Sequence, residues 1–269
     1  MIVSHKPAAP LTPYIEKLWY CEEYLASHHK ERVLPSGRFQ LIIHLTDAFA
    51  RQQDFATGEM PLPSPMLVVG MRSRFGIVDT SILRSVIGVV FRPGGARPFF
   101  DESAQCFYNE TVPLNGVWNS AASDLRIRLQ EASAVGEKFR LVEAALLTRL
   151  KAPFHLHPCV QYALGKFMQA PHIRSVIDIT KETGLSRRRF AQLFREQVGI
   201  TPKLYCRLNR FQNVLRQITS GAPVDWADVA LAGGYYDQPH LNHDFNDFAG
   251  ISPGTYLASN PRLTHVPMD

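Results

Sequence analysis

Several kinds of pattern are missing from this 269-residue sequence, and each absence excludes a class of protein. There are only four cysteines, and no two stand in a CxxC spacing, so neither a disulfide framework nor a structural zinc site is expected. No apolar run approaches the roughly 20 residues of a membrane span, and the N-terminus lacks the apolar core of a signal peptide. We therefore expect a cytoplasmic protein with free thiols that does not insert into a membrane.

Catalytic motifs are missing as well. A cupin-type metal site needs two histidines one residue apart, a carboxylate and a later histidine. His28 and His29 are adjacent instead, so along a strand they would point to opposite faces, and His44 stands alone. The sequence contains no nucleophile motif and no phosphate-binding loop. We expect no enzyme activity, no metal and no cofactor.

Positive charge is missing from one long stretch, because no Lys or Arg lies between Arg216 and Arg262. The whole chain nevertheless has a net charge of +5 and a pI near 9.1, which favours an anionic partner only weakly. With 45% hydrophobic and 20% charged residues the composition is that of a globular protein, and the length is that of two domains. The distribution of charge is therefore more informative than its sum.

The first 112 residues have the pattern of β-strands. Three short apolar runs are bounded by Pro, Gly and Asp, at residues 39–45, 66–71 and 85–91. From about residue 113 to 152 the spacing becomes helical. One helical face carries four large apolar residues, which are Phe139, Val142, Leu146 and Leu150. This stripe either packs on the β-rich part or forms a dimer seam.

Two prolines at 153 and 158 interrupt the helical pattern, so we place a domain boundary there and predict an N-terminal domain at 1–152. The remaining residues, 153–269, have the pattern of short helices only. The sequence thus predicts an α+β protein of two domains, the first β-rich with trailing helices and the second all-α.

The second domain contains one unit twice. "GLSRRRFAQLFREQVGITPKLY" at 184–205 aligns with "YYDQPHLNHDFNDFAGISPGTY" at 235–256. A helix, a glycine turn and a helix capped by Ser186 or Asp237 form the layout of a helix-turn-helix. We place the two units at about 175–198 and 226–248, joined by a linker helix at about 202–219.

The second helix of each unit has an apolar side and a polar side. The polar side of the first carries Arg187, Arg188, Ala191, Gln192 and Arg195. The polar side of the second carries Gln238, Asn242, His243 and Asn246, with His240 at its edge. Arg and Gln on a helix face can read guanine and adenine edges, and an arginine cluster attracts phosphates.

Residues from about 158 to 257 resemble the DNA-binding domain of the AraC/XylS family of bacterial transcription regulators. The most specific stretches are "WADVALAGGYYDQPHLNHDF" and "AGISPGTY". The resemblance implies that both recognition helices enter successive major grooves of double-stranded DNA. By position, Arg188, Ala191 and Gln192 would reach bases from the first helix, and Gln238, His240 and His243 from the second. It also implies backbone contacts from Arg187, Arg195 and Arg207, and either an ion pair or a DNA contact for Arg210.

For the N-terminal domain the resemblance implies a module, often a cupin-like barrel, that binds a small effector, mediates dimerisation, or both. Barrel mouths are common ligand sites, and four residues beside the strands are candidates to line one, namely Trp19, Tyr20, His44 and Phe91. Core packing is the alternative for each of them. A domain that acts only in oligomerisation or protein interaction, without an effector, is the alternative for the whole module.

The second unit is acidic, with Asp225, Asp228, Asp237, Asp244 and Asp247. One hypothesis is that the first unit supplies most of the binding energy and the second adds base readout through Gln238, Asn242 and His240. The other is that the acidic residues point away from DNA, toward a partner such as RNA polymerase, and weaken nothing.

Overall fold

The computed structural model describes residues 2–24, 27–46, 52–53, 64–80, 83–150, 154–169, 176–219 and 224–268. The protein has a β-rich N-terminal domain and a helical C-terminal part, as the sequence predicts. No helix in these ranges is both long and apolar enough to cross a membrane. Pro153, one of the two prolines at the predicted domain boundary, lies outside the described residues, and Pro158 begins a helix.

Within the described residues, six strands form one antiparallel sheet in the order β1-β2-β8-β4-β6-β9. Their bounds are β1 Ile2–His5, β2 Ile15–Glu22, β4 Gln40–His44, β6 Met66–Val69, β8 Ser85–Phe91 and β9 Thr111–Pro113. The three apolar runs of the sequence are β4, β6 and β8, which lie next to one another at the centre. Each of these three strands has a paired strand on both sides. Interior strands of this kind are rich in apolar residues, so the sequence could identify them from apolar content alone.

A second sheet in the described part of the chain has the order β10-β3-β7-β5. Its strands are β3 Lys30–Val33, β5 Gln52–Gln53, β7 Gly76–Asp79 and β10 His265–Met268. β10 comes from the end of the chain and pairs antiparallel with β3, with His265 opposite Val33 and Val266 opposite Arg32. The chain therefore returns from the helical part to extend an N-terminal sheet.

A buried carboxylate anchors this returning strand. Glu31 is 1% exposed, and its two oxygens accept hydrogen bonds from His28 Nε2 and His265 Nδ1, each at 2.8 Å. Tyr24 donates a further hydrogen bond to Glu31. Burial alone would raise the pKa of the Glu31 carboxyl, but the hydrogen bonds from His265, Tyr24 and His28 outweigh it and lower the pKa to about 2. The carboxylate is thus held charged between β3 and β10.

One face of the six-stranded sheet packs against helices. These are α1 Asn115–Trp118, α2 Ser120–Glu131 and α3 Val135–Arg149. Phe139, Val142 and Leu146 are at most 3% exposed, and Leu150 is partly buried against the same core. The apolar stripe predicted on this helix therefore packs on the β-rich domain, which leaves it no free face for a dimer seam.

The other face of this sheet meets the second sheet. Leu67 is buried there, with Ile42, Val69, Val78 and Leu83 packed partly buried around it. On the same face the Trp19 indole covers Gly88, since a Cβ built at Gly88 would lie 2.3 Å from the ring. The contact between the two sheets is therefore apolar, and several of its side chains are only partly buried.

The helical part contains α4 Pro158–Gln169, α5 Val176–Glu182, α6 Arg187–Val198, α7 Pro202–Ile218, α8 Trp226–Ala232, α9 Gln238–Ala249 and α10 Pro253–Ala258. The predicted caps are present, because the side chains of Ser186 and Asp237 accept hydrogen bonds from the amides of Arg189 and His240. Gly199 and Gly250 end α6 and α9 in the left-handed region, at φ +100° and +65°. The two units are thus α5–α6 and α8–α9, joined by α7.

The N-terminal domain docks on the back of both units. Ser103 Oγ donates to the Glu196 carbonyl near the end of α6, at 3.1 Å. Gln212 Nε2, on α7, donates to the Pro35 carbonyl at 2.6 Å. Arg32 on β3 donates to the Ala249 carbonyl at the end of α9, at 3.2 Å. The first and third of these contacts lie near the C-terminal ends of α6 and α9, and the second lies on the linker helix. The polar sides of both recognition helices stay exposed.

Candidate nucleic-acid interface

The first recognition helix, α6, has one buried side and one charged side. Phe190, Leu193, Phe194 and Val198 are at most 6% exposed, which sets the orientation of the helix. Its opposite side exposes Arg187, Arg188, Arg189, Gln192 and Arg195, with Ala191 half-buried between them. Arg189, which the sequence analysis did not select, belongs to this exposed set. The result is a cluster of four exposed guanidinium groups on one helix.

One predicted base-reading side chain is already oriented. Gln192 Nε2 donates to Glu196 Oε1 at 2.8 Å, one helical turn further on. The bond holds the amide along the helix surface, with its carbonyl oxygen left as a hydrogen-bond acceptor. Glu196 is partly buried and is the only acidic residue of α6.

The second recognition helix, α9, exposes amides and imidazoles instead of arginines. Leu241, Phe245 and Phe248 are buried at 1% or less. On the polar side Gln238, His240, His243 and Asn246 are exposed, and Asn242 is half-buried. Tyr236, directly before the N-cap, is 87% exposed beside them and was not selected by sequence reasoning. The sequence signal for it is its position directly before Asp237, the N-cap of the recognition helix.

Arg207 lies on α7 and contacts two aspartates of α9. Its guanidinium donates to Asp244 Oδ1 at 2.6 and 3.0 Å and to Asp247 Oδ2 at 2.7 Å. Burial would lower the pKa of Arg207, but its bonds to Asp244 and Asp247 raise it. Arg210 is 3.8 Å from the second oxygen of Asp244 and lies over the Tyr235 ring. A phosphate contact from Arg207 stays a prediction, and it would have to compete with this ion pair.

The acidic residues of the second unit have internal partners. Asp225 and Asp237 cap α8 and α9 through hydrogen bonds to backbone amides. Asp244 is 2% exposed and paired, and Asp247 is bonded to Arg207. Four of the five aspartates that the sequence singled out therefore have a structural role in the unit, and two of them are paired with Arg207.

His243, Asp244 and Asp247 offer ligand atoms within 4.8 Å of one another. The Asp244 and Asp247 oxygens already accept from the Arg207 guanidinium, so a cation at this cluster would have to displace a positive charge. The chemistry of the group is that of an ion pair.

The four candidate ligand residues lie in two different places. Tyr20 and Phe91 are 2% and 0% exposed and belong to the large core cluster. Trp19 lies half-buried on the other face of the sheet, over Gly88. His44 is 2% exposed at the end of β4, opposite Val86. The structure does not bring the four together in one cavity.

Two family models match the chain in succession. Residues 3–113 match a domain of unknown function (DUF6597), and residues 179–259 match a helix-turn-helix domain. The second match covers both α6 and α9 with the linker helix between them. No curated protein matches the chain by sequence.

Solved structures of similar fold include those of ToxT from Vibrio cholerae. The structure of ToxT with an unsaturated fatty acid bound has 10% sequence identity and a TM-score of 0.51, over 95% of this chain and 94% of that one. ToxT bound to (E)-4-(8-methylnaphthalen-1-yl)but-3-enoic acid has 11% identity and a TM-score of 0.51, over 96% and 98%. At this identity the likeness concerns the fold.

These results show that the C-terminal part contains a helix-turn-helix domain of the AraC type. It is attached to a β-rich domain, and the two together have the fold of ToxT.

Proposed function

We propose that this protein binds double-stranded DNA in a sequence-specific manner, with α6 and α9 in successive major grooves, and regulates transcription of bacterial genes in the cytoplasm. The observation that carries the proposal is the pair of polar helix faces, both uncovered while the rest of each unit is packed. The linker helix has 17 residues, which corresponds to about 25 Å. With recognition helices at both of its ends, it can span a separation of about one DNA turn, roughly 34 Å.

The two helices contribute differently in this proposal. Four exposed arginines on α6 supply phosphate attraction and guanine contacts, whereas α9 supplies base readout through Gln238, Asn242, His240 and His243. Because two of the five aspartates of the second unit are paired with Arg207, they oppose DNA less than their number implies. The first unit still provides most of the binding energy, since α9 contains no Lys or Arg.

The proposal is tested by fluorescence anisotropy with fragments of DNA from upstream of the protein's own gene and its neighbours, at two salt concentrations. Wild type is compared with the double variant Arg188→Ala/Gln192→Ala. The control is Arg140→Ala, which removes an exposed arginine from α3, a helix of the N-terminal domain. We expect competitor-resistant binding to one fragment, lost in the double variant and kept in the control. Weak binding to every fragment, equal in all three proteins, would contradict the proposal.

We further propose that the N-terminal domain controls this binding through a small effector held between the two sheets. Ile42 and Val69 of the first sheet pack around Leu67 with Val78 of the second sheet, and all three are only partly buried, so an apolar ligand beside them would complete their burial. The ToxT relatives carry a fatty acid or an aryl-substituted butenoic acid, so unsaturated fatty acids are the first probes. Fatty alcohols of the same length are the matched controls.

The alternative is that the N-terminal domain only mediates oligomerisation or contacts with other proteins, among them RNA polymerase. A saturable rise in melting temperature with one class of probe favours the effector, because a ligand stabilises the state it binds in proportion to the logarithm of its concentration over Kd. No shift across the panel, together with a dimer in sedimentation, favours the alternative. Ile42→Trp, which would fill the space, should abolish the shift if the ligand lies there.

A further inference from the structure

The two helix-turn-helix units are attached to different sheets of the N-terminal domain. At the end of α6, Ser103 Oγ donates to the Glu196 carbonyl at 3.1 Å. A Cβ built at Gly199, the residue that ends α6, would lie 3.0 Å from the Phe39 ring and 3.2 Å from the Ala104 carbonyl oxygen. Phe39 directly precedes β4, and Ser103 and Ala104 lie between β8 and β9. The first unit is therefore held by the six-stranded sheet.

The end of α9 touches the four-stranded sheet instead. Arg32 Nη1 on β3 donates to the Ala249 carbonyl at 3.2 Å, where the positive charge lies at the negative end of the helix dipole. The same guanidinium lies over the Phe75 ring at 4.5 Å. Phe75 directly precedes β7, and a Cβ built at Gly250 would lie 2.3 Å from its ring. Since β3 and β7 pair with each other, the second unit is held by the four-stranded sheet.

The strand β10 attaches the second unit to the same sheet a second time. Tyr256 on α10 packs edge-on against Phe245 of α9, with ring centroids 5.4 Å apart, and its hydroxyl donates to the Leu263 carbonyl at 2.5 Å. Two residues later β10 begins and pairs with β3 over its whole length. Val266 of β10 is 2% exposed and belongs to the core. The chain thus leaves α9, stays in contact with it through Tyr256, and ends in the sheet that already holds Gly250.

The linker helix meets the connection between the two sheets. Residues 34–39 run from β3 to β4, which is from one sheet to the other. Gln212 Nε2 on α7 donates to the Pro35 carbonyl at 2.6 Å in a buried hydrogen bond. Gly37 lies beside Leu208 of α7, since a Cβ built on it would be 3.9 Å from the leucine Cβ. The helix that joins the two units therefore packs against the segment that joins the two sheets.

We propose that each sheet carries one recognition helix, so that the packing of the two sheets sets the distance between α6 and α9 on DNA, and that β10 is the strap that holds the second unit to its sheet. The sheets meet through the apolar contact around Leu67, to which β7 contributes Val78. A shift at this contact moves Phe75, three residues before Val78, and with it the end of α9. His265 and Glu31, which join β10 to β3, are positioning residues in this scheme.

This inference rests on the proposed DNA binding and adds how the N-terminal domain acts on it. An effector held between the sheets would change the half-site spacing that the protein accepts. The path from the sheets to the helices consists of direct contacts, so it can be examined with the effector absent.

The attachment itself is tested without DNA, by native-state hydrogen exchange of the wild-type protein in increasing urea. The end of α9, α10, β10 and β3 should open together, with one free energy and one dependence on urea, because they form one packed body. The end of α6 should open separately from them. Opening of α6 and α9 in one step, or opening of β10 and β3 separately from α9, would overturn the proposal.

The spacing is tested with a site selected by the wild-type protein from a randomised duplex pool, from which one base pair is then removed or to which one is added between the half-sites. One base pair moves a half-site by about 3.4 Å and rotates it by about 35°. We expect the wild type to lose affinity at least about tenfold, since its helices are held at one distance. His265→Ala should lose only about threefold or less, because the second unit is released from its sheet. Its affinity for DNA with the α6 half-site alone should be unchanged, which unfolding of the domain would not allow.

His28→Ala is the matched control. Its imidazole also lies 2.8 Å from a Glu31 oxygen, but His28 lies outside β10, so this variant should discriminate spacing as the wild type does. Lys30 and Met268 are opposite each other in β3 and β10. A disulfide formed by Lys30→Cys and Met268→Cys in the His265→Ala protein should restore the discrimination, and a reductant should remove it again.

The outcomes separate this inference from the proposed function. If the pool yields no specific site, sequence-specific DNA binding fails, and the exchange experiment still decides whether β10 ties α9 to its sheet. If a site is found but His265→Ala discriminates spacing as the wild type does, the function stands and the strap is wrong. Equal loss of discrimination in the two histidine variants would also reject the strap, because it would assign the effect to the environment of Glu31 and not to β10.

Discussion

Replacing Asp244 by asparagine is expected to destabilise the C-terminal domain far more than the same change at Asp247. Both residues lie on α9 and both accept from Arg207, but Asp244 is 3% exposed and Asp247 is 46% exposed in their side chains. Removing one partner of a buried ion pair typically costs roughly 3–5 kcal/mol, since the other charge is left uncompensated. Arg207 keeps Asp247 and is 28% exposed, so we expect a value at the low end, about 3 kcal/mol.

The Asp247→Asn variant serves as the matched control, because it removes a charge of the same sign from the same partner at the surface. Exposed pairs contribute only about 0–1 kcal/mol. Both variants are compared by urea unfolding followed by circular dichroism, with the dependence on urea checked for a common slope. Equal losses for the two variants, within about 0.5 kcal/mol, would refute the claim that the buried Asp244–Arg207 pair anchors α9 to α7.

Other predictions follow from the same contacts. The pKa of Glu31 is about 2, against an ordinary 4.5, which corresponds to about 3 kcal/mol of folding stability. This stability is present above about pH 4.5 and is lost as the pH falls toward 2. Glu31→Gln should remove this pH dependence of the unfolding free energy, measured by urea titration. Gly250→Ala should lower the free energy of unfolding by roughly 1–3 kcal/mol, because φ is +65° and the new Cβ would lie 2.3 Å from the Phe75 ring. The variant should also speed hydrogen exchange at the end of α9. Unchanged exchange would mean that this contact is not formed in solution. Arg188→Ala should reduce affinity for a selected DNA site more than His240→Ala does. It should also reduce the slope of log affinity against log salt concentration by about one. Equal losses of affinity would contradict the assignment of most binding energy to the first unit.

The sequence by itself determined the helical part of this protein. Ser186, Asp237, Gly199 and Gly250 set the ends of α6 and α9 through their own backbone chemistry, and the apolar spacing of α7 set its buried side. Such signals act over three to five residues, so they can be read without knowing the fold. The polar faces of both recognition helices follow from them, because the buried side of a helix leaves only one side for solvent or DNA.

Only the tertiary structure decided which charges are free and which strands pair. The aspartates of the second unit resemble a repulsive surface in the sequence, and their pairing with Arg207 depends on a contact across 37 positions. β10 joins β3 although the two are more than 200 residues apart, and Glu31 is charged in the interior because His265 arrives with that strand. Pairing energies of this kind depend on distance in space and on burial, and neither quantity is encoded in the local pattern of residues.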